Sequence, residues 1–100
     1  MVFVSGQLPI HAETGIMPEG ISEQAKASLT NIKNILAEAD LSMNDVVKTT
    51  IFLDNMADFT AVNEVYGNFF EEPYPSRSTV EVAKLPKDAK VEIEAIAFKN

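Results

Sequence analysis

The chain opens with a short apolar run, residues 2–7, that Gly6 and Pro9 bring to a turn, and the run reads as a strand. Residues 11–20 contain Gly15, Pro18 and Gly20 and read as loop. At Ile21 the period changes. Ile21, Ala25, Leu29, Ile32, Leu36 and Ala39 recur at helical spacing, with Glu23, Lys26, Lys33 and Glu38 off the stripe. The spacing predicts an amphipathic helix with one buried face. Residues 46–53 are β-branched and aromatic, the composition of a strand. Asp54, Asn55 and Asp58 then supply capping oxygens for a second helix, whose stripe is Phe59, Val62, Tyr66 and Phe69 and which Pro73 and Pro75 stop. Two closing strands, residues 77–83 and 90–98, are separated by Leu85-Pro86-Lys87-Asp88, which is the turn if the two strands form a hairpin.

The resulting order is β-α-β-α-β-β, and the economical architecture is an α+β sheet with both helices on one face. Alternation of side chains across a strand divides the residues further. One face collects Val2, Val4, Val47, Ile51, Leu53, Val80, Val82, Val91, Ile93, Ala95 and Ala97, and is where the helices dock. The other collects Phe3, Ser5, Lys48, Thr50, Phe52, Arg77, Thr79, Glu81, Glu92, Glu94, Ile96 and Phe98. A purely solvated face has no use for Phe3, Phe52, Ile96 and Phe98, so part of it is expected to pack on another subunit. Parity thus places Arg77, Thr79, Ser5 and Glu92 together. In a hairpin register Glu92 lies opposite Glu81, and Arg77 opposite Ile96, about 13 Å along the sheet from Glu92. A site that uses both needs a ligand between them, another register, or two chains.

Composition narrows the classes. One hundred residues make one domain, and so small a domain buries only about 60–65% of its unfolded-chain surface, which makes oligomerisation a natural source of stability. A formal net charge of -7 and a pI near 4.5 argue against a phosphate-neutralising nucleic-acid surface and against an anionic membrane. The absence of cysteine excludes disulfides, thiolate nucleophiles and Cys-based metal sites. Residues 1–6 lack the basic start and long apolar stretch of a signal peptide, and no run reaches membrane-spanning length, so the expected location is cytoplasmic.

Most standard chemistries lack their residues. His11 is the single histidine and sits in a Gly/Pro-containing loop, where it reads as a solvated surface residue without triad or zinc partners. Gly6, Gly15, Gly20 and Gly67 are scattered and form no phosphate loop. Arg77, the only arginine, opens a strand-like run, and its two-pronged donor geometry matches a carboxylate. The bland alternative is a surface or interface ion pair. Glu92 and Glu94 are either solvated strand glutamates, paired with Lys48 or Lys90, or functional carboxylates beside a bound anion.

Several blocks, in order, resemble the RidA (YjgF) family of enamine/imine deaminases. They are Val4-Ser5-Gly6-Gln7-Leu8-Pro9; Gln24, Leu29 and Asn31-Ile32; Asp45-Val46-Val47-Lys48-Thr49-Thr50; Asp58-Phe59, Val62-Asn63 and Tyr66; Arg77-Ser78, Val80-Glu81-Val82-Ala83 and Leu85-Pro86-Lys87-Asp88; and Glu92-Ile93-Glu94-Ala95-Ile96-Ala97. The match runs nearly end to end. It implies a chorismate-mutase-like α+β fold in a single domain, residues 1–100, assembled as a homotrimer with clefts between subunits and using no metal and no organic cofactor. It also implies roles: Arg77 for the substrate carboxylate, Glu92 for the attacking water, and Ser5, Gly6, Thr79 and Asn63 for lining and binding. Thr79 stands where the family often has cysteine, which excludes thiol-dependent behaviour. Family members normally begin with a further strand carrying a Gly-Pro-Tyr segment, and this chain starts after that point. If nothing replaces it, the sheet has an uncovered edge and the pocket lacks an aromatic wall.

The implied activity is hydrolysis of small 2-imino acids, such as 2-iminopropanoate or 2-iminobutanoate, to 2-oxo acids and ammonia. The alternative is a trimeric ligand-binding or interaction module that keeps the cleft without turnover. A ribonuclease or translation-inhibitor role, also proposed for the family, fits poorly with the acidic charge and the lack of a catalytic histidine.

Overall fold

A computed structural model describes residues 1–99. The elements are β1 (Val2–Gln7), α1 (Ile21–Glu38), β2 (Val46–Leu53), α2 (Phe59–Gly67), β3 (Ser76–Glu81) and β4 (Val91–Ala97), the expected sequence of types. Leu29, Ile32 and Leu36 of the α1 stripe are fully buried against a sheet floor of Ile51, Leu53, Val91, Ile93 and Ala97. Each such aliphatic side chain contributes about 1.5–3 kcal/mol by leaving water. Ala39 falls just beyond α1, as its C-terminal cap, and is exposed. α2 is entered through a tight turn, Met56–Asp58, capped by Asn55, whose Oδ1 accepts the Ala57 N–H at 2.9 Å. Asp58 makes no capping hydrogen bond. Val62 and Tyr66 are the buried residues of α2 and complete the core with Phe70.

The sheet order is β1-β4-β2-β3, and both helices cover one face of it. β4 lies antiparallel between β1 and β2, while β3 runs parallel to β2 at the outer edge. The hairpin of the last two strands is therefore corrected: β2 separates them, and the connection through Leu85 and Ala89, both buried, crosses the end of β2. The α2 crossover has already returned the chain parallel to β2 at one edge, so β4 takes the remaining central position.

Register redistributes the faces. Thr49, Ile51 and Leu53 on the helix side are aligned with Arg77, Thr79 and Glu81, which puts those three on the helix side too. Val80 pairs with Phe52 on the open face and is 41% exposed. Val47 also leaves the apolar face. β2 has one more residue than β4 between the pairs Val46↔Ala97 and Lys48↔Ile96, so Val46 is buried and Val47 is half exposed. Parity within a strand was right for β4, but parity between strands fails where one strand enters shifted by a residue. The open face carries Phe3, Ile96, Phe52 and Val80 beside Glu92, Glu94, Thr50, Lys48 and Ser78, with Lys48 Nζ donating to Ser78 Oγ at 2.8 Å.

Candidate functional site

Arg77 sits one residue into β3, beside Thr49, and its guanidinium reaches α2. Its Nη1 donates to Asn63 Oδ1 at 2.6 Å. Its Cζ lies 4.8 Å from the centre of the Tyr66 ring and 5.4 Å from that of Phe59. Phe59, Asn63 and Tyr66 occur at spacings of four and three, so one helical face presents all three to the arginine. The bland ion-pair reading has no support within the protomer: the one ion pair among the described residues joins Lys84 and Asp88 at 3.3 Å. One guanidinium donor is committed to Asn63, and the others are available to a planar anion. They border an open pocket of about 440 Å³ lined by Asn63, Tyr66, Gly67, Tyr74, Pro75 and Arg77. Thr79, two residues along the same strand and half-buried, shares this side.

Behind the guanidinium, the Tyr66 hydroxyl and Thr49 Oγ1 are 2.8 Å apart in a buried hydrogen bond. Burial pushes the Tyr66 phenol above its ordinary value; the Thr49 hydrogen bond and the Arg77 charge oppose that without cancelling it. Tyr66 is a neutral ring with a fixed hydroxyl.

Glu92 occupies the opposite face. It pairs with Phe52 on β2, half-buried, and its carboxylate lies over Gly6 of β1. β1 has one residue more than β4 between the pairs Val4↔Ala95 and Gln7↔Ile93, a bulge at Ser5-Gly6 opposite Glu94, and the Glu92 carboxylate reaches along the face to it. A Cβ on Gly6 would overlap Glu92 Oε2 and stand 2.9 Å from its Cδ. The glycine is therefore needed for close approach, since its backbone is what leaves room for the carboxylate. Ser5 is exposed on the same face.

The six expected site residues thus form two groups. Arg77, Asn63 and Thr79 lie on the helix side of the β3 edge, and Glu92, Gly6 and Ser5 lie on the open face of β4 and β1. The single mixed face that parity suggested is corrected: the sheet stands between the groups within one protomer. Sequence reasoning missed the aromatic support of Arg77, although Phe59 and Tyr66 were recognised as a buried stripe. Their spacing around Asn63 was the available signal. It missed Tyr74 as well, which was hidden between two prolines. Among the described residues no helix is long and apolar enough to cross a membrane.

The family model described as Endoribonuclease L-PSP matches residues 1–99. The chain is 50% identical over 103 residues to the reactive intermediate deaminase TdcF of Escherichia coli strain K12, covering 100% of this chain and 80% of the relative. It is also 50% identical over 103 residues to the 2-iminobutanoate/2-iminopropanoate deaminase of Salmonella typhimurium strain LT2, again over 100% and 80%. A crystal structure of E. coli TdcF with bound serine superposes with a TM-score of 0.94 at 48% identity, over 98% of this chain and 80% of that one.

Proposed function

The chain belongs to the endoribonuclease L-PSP family, that of the RidA (YjgF) deaminases, and on that premise we propose that it hydrolyses small 2-imino acids to 2-oxo acids and ammonia. Its fold is the chorismate-mutase-like α+β fold of that family. The substrates proposed are 2-iminopropanoate and 2-iminobutanoate, the compounds for which the Salmonella relative is named. Serine, held by TdcF in its crystal structure, shares with them a carboxylate next to a nitrogen-bearing carbon.

The observation that carries the reading is Arg77: a guanidinium oriented by Asn63, without a carboxylate partner in its protomer, at the mouth of a pocket of about 440 Å³. Its free donors take the substrate carboxylate and fix C2. Glu92 steers a water onto C2 and takes up its proton. Addition breaks the C=N π bond, and Glu92 returns the first proton to nitrogen to give an adduct that carries a hydroxyl and an amino group; the hydroxyl proton then passes by way of Glu92 to the amino group, the C–N bond breaks, and ammonia leaves as the C=O of the 2-oxo acid forms. The imine carbon is already electrophilic, so positioning and one proton carrier suffice, with no metal or organic cofactor. Thr79 and Ser5 supply hydroxyls at the two borders of the site, and the Gly6 backbone lets substrate and Glu92 approach.

Because Arg77 and Glu92 lie on opposite faces of one sheet, the proposed site takes Arg77, Asn63 and Thr79 from one chain and Glu92, Gly6 and Ser5 from a neighbour. A homotrimer that buries the open apolar face, including Phe3 at 73% and Val80 at 41% exposure, meets that requirement. The proposed setting is cytoplasmic, where PLP-dependent dehydratases release enamines. The net charge of -7 speaks against RNA as the substrate.

The test is release of ammonia and 2-oxo acid from freshly generated 2-aminoacrylate, with intact protein and Arg77→Ala side by side. Loss of a charge-assisted pair predicts a KM raised roughly 10- to 100-fold. Equal rates would remove Arg77 from the mechanism. Titration with 2-oxobutanoate that shows binding without any turnover would instead identify a ligand-binding module.

A further inference from the structure

The hydroxyl pair behind Arg77 has no part in the chemistry above, yet its placement is specific. Thr49 is 1% exposed and is the β2 residue directly aligned with Arg77. Tyr66 reaches across from α2, spends its hydroxyl on Thr49 at 2.8 Å, and lays its ring 4.8 Å from the Arg77 Cζ. Phe70 packs on that ring at 4.4 Å between centroids, tilted by 34°. The ring is therefore held at three points: by its hydroxyl, by Phe70 and by the helix that carries it. A core tyrosine needs only the apolar contacts and some polar partner. This one takes its partner from the strand position beside the arginine, so its ring angle and the arginine are set by the same register.

We propose that Tyr66, locked by Thr49, is a positioning residue for substrate carboxylate binding. Its ring fixes the plane of the Arg77 guanidinium, so that with Nη1 committed to Asn63 the remaining donors point into the pocket. An exposed arginine otherwise samples many rotamers, and each must be given up when a carboxylate is bound. The ring removes that cost before the substrate arrives. It also attracts the cation through its face, an attraction worth more as the site dries on closure. The inference rests on the reading of Arg77 as the carboxylate holder.

The experiment compares Tyr66→Leu, Tyr66→Phe and Arg77→Ala, alone and with Tyr66→Leu and Arg77→Ala combined. It reads KM and kcat for 2-iminopropanoate and, separately, the dissociation constant for 2-oxobutanoate by titration. Tyr66→Leu is expected to raise KM and the dissociation constant about tenfold with kcat within about twofold, as loss of a partly desolvated cation–π contact implies. Tyr66→Phe, which keeps the ring, should restore most of that affinity. In the Arg77→Ala background Tyr66→Leu should have almost no further effect, since the two act as a unit. Unchanged affinity in Tyr66→Leu beside a weakened Arg77→Ala overturns this inference and leaves the Arg77 reading intact. An equal loss from Tyr66→Leu with and without Arg77 also overturns it. Unchanged affinity in Arg77→Ala defeats the underlying reading instead. Should Tyr66→Leu not fold, the near-isosteric variants Thr49→Val and Tyr66→Phe test the lock one partner at a time: a dissociation constant raised about threefold in each, and no higher in the double variant, supports it, and wild-type affinity in both single variants refutes it.

Discussion

The two halves of the proposed site are built to different degrees of completion. Around Arg77 the protomer supplies everything: the Asn63 amide oxygen that accepts its hydrogen bond, two aromatic faces and a buried hydroxyl pair behind them. Around Glu92 it supplies a place and little else, namely a bulge and a glycine that leave room for a carboxylate on an open face. A cation held ready for an anion can be finished within a chain, because aromatic rings and an amide carbonyl orient it without neutralising it. In the proposed mechanism the Glu92 carboxylate exchanges protons with water and stays unpaired until substrate and a neighbouring chain cover it. On the proposed reading, anion binding is a property of one protomer and proton transfer a property of the assembly.

The sharpest way to break that comparison is to separate the halves genetically. Glu92→Gln keeps the shape of the side chain and is expected to lower kcat about 10²- to 10⁴-fold, the usual worth of a positioned proton carrier, while 2-oxobutanoate binding survives. Glu92→Gln and Arg77→Ala chains, each close to inactive at low substrate, should regain activity there when unfolded and refolded together, because mixed assemblies then contain some interfaces with both native residues. A mixture as inactive as its components would mean that the two residues do not meet across chains. Gly6→Ala is milder. The added methyl meets the tip of a flexible glutamate, so the carboxylate swings aside while the fold stays intact. About a tenfold loss in kcat with an unchanged melting temperature is expected; a normal kcat would show that the carboxylate works equally well elsewhere.

The smallest effect concerns the Arg77 half and reads stability. The folded Tyr66 phenol titrates above its ordinary value of 10.0 because burial disfavours the phenolate. The unfolded chain therefore loses that proton first, and the stability due to the neutral phenol is complete below about pH 10 and declines as the pH rises further. Melting temperatures of wild type and Tyr66→Phe measured from pH 8 to 11 should converge toward the alkaline end, with wild type falling faster; parallel curves would contradict the buried-phenol assignment.

Much of the molecule was legible in the chain. Apolar periodicity marked α1 and α2, β-branched runs marked β2 and β4, and the helix-docking face of β4 followed from alternation alone, because these signals depend only on neighbours in sequence. The partnership of β3 was not legible. Its residues 76–81 show alternation, but alternation has no absolute phase: which parity faces the helices is set by the register against β2, and there Thr49 meets Arg77. The bulges at Val47 and Ser5-Gly6 were invisible for the same reason, each being a mismatch between two strands and not a property of either.

The sequence by itself determined the residue types available for chemistry: one arginine, a strand glutamate, no cysteine, and a helix that repeats Phe59, Asn63 and Tyr66 on one side. It determined the family resemblance as well, since ordered blocks need no coordinates to be read. Only the tertiary structure decided that Arg77 lies under the aromatic face of α2 while Glu92 lies across the sheet. The physical reason is that a strand's pattern specifies its side chains only up to a reflection, and the hydrogen-bonded neighbour chooses between the two.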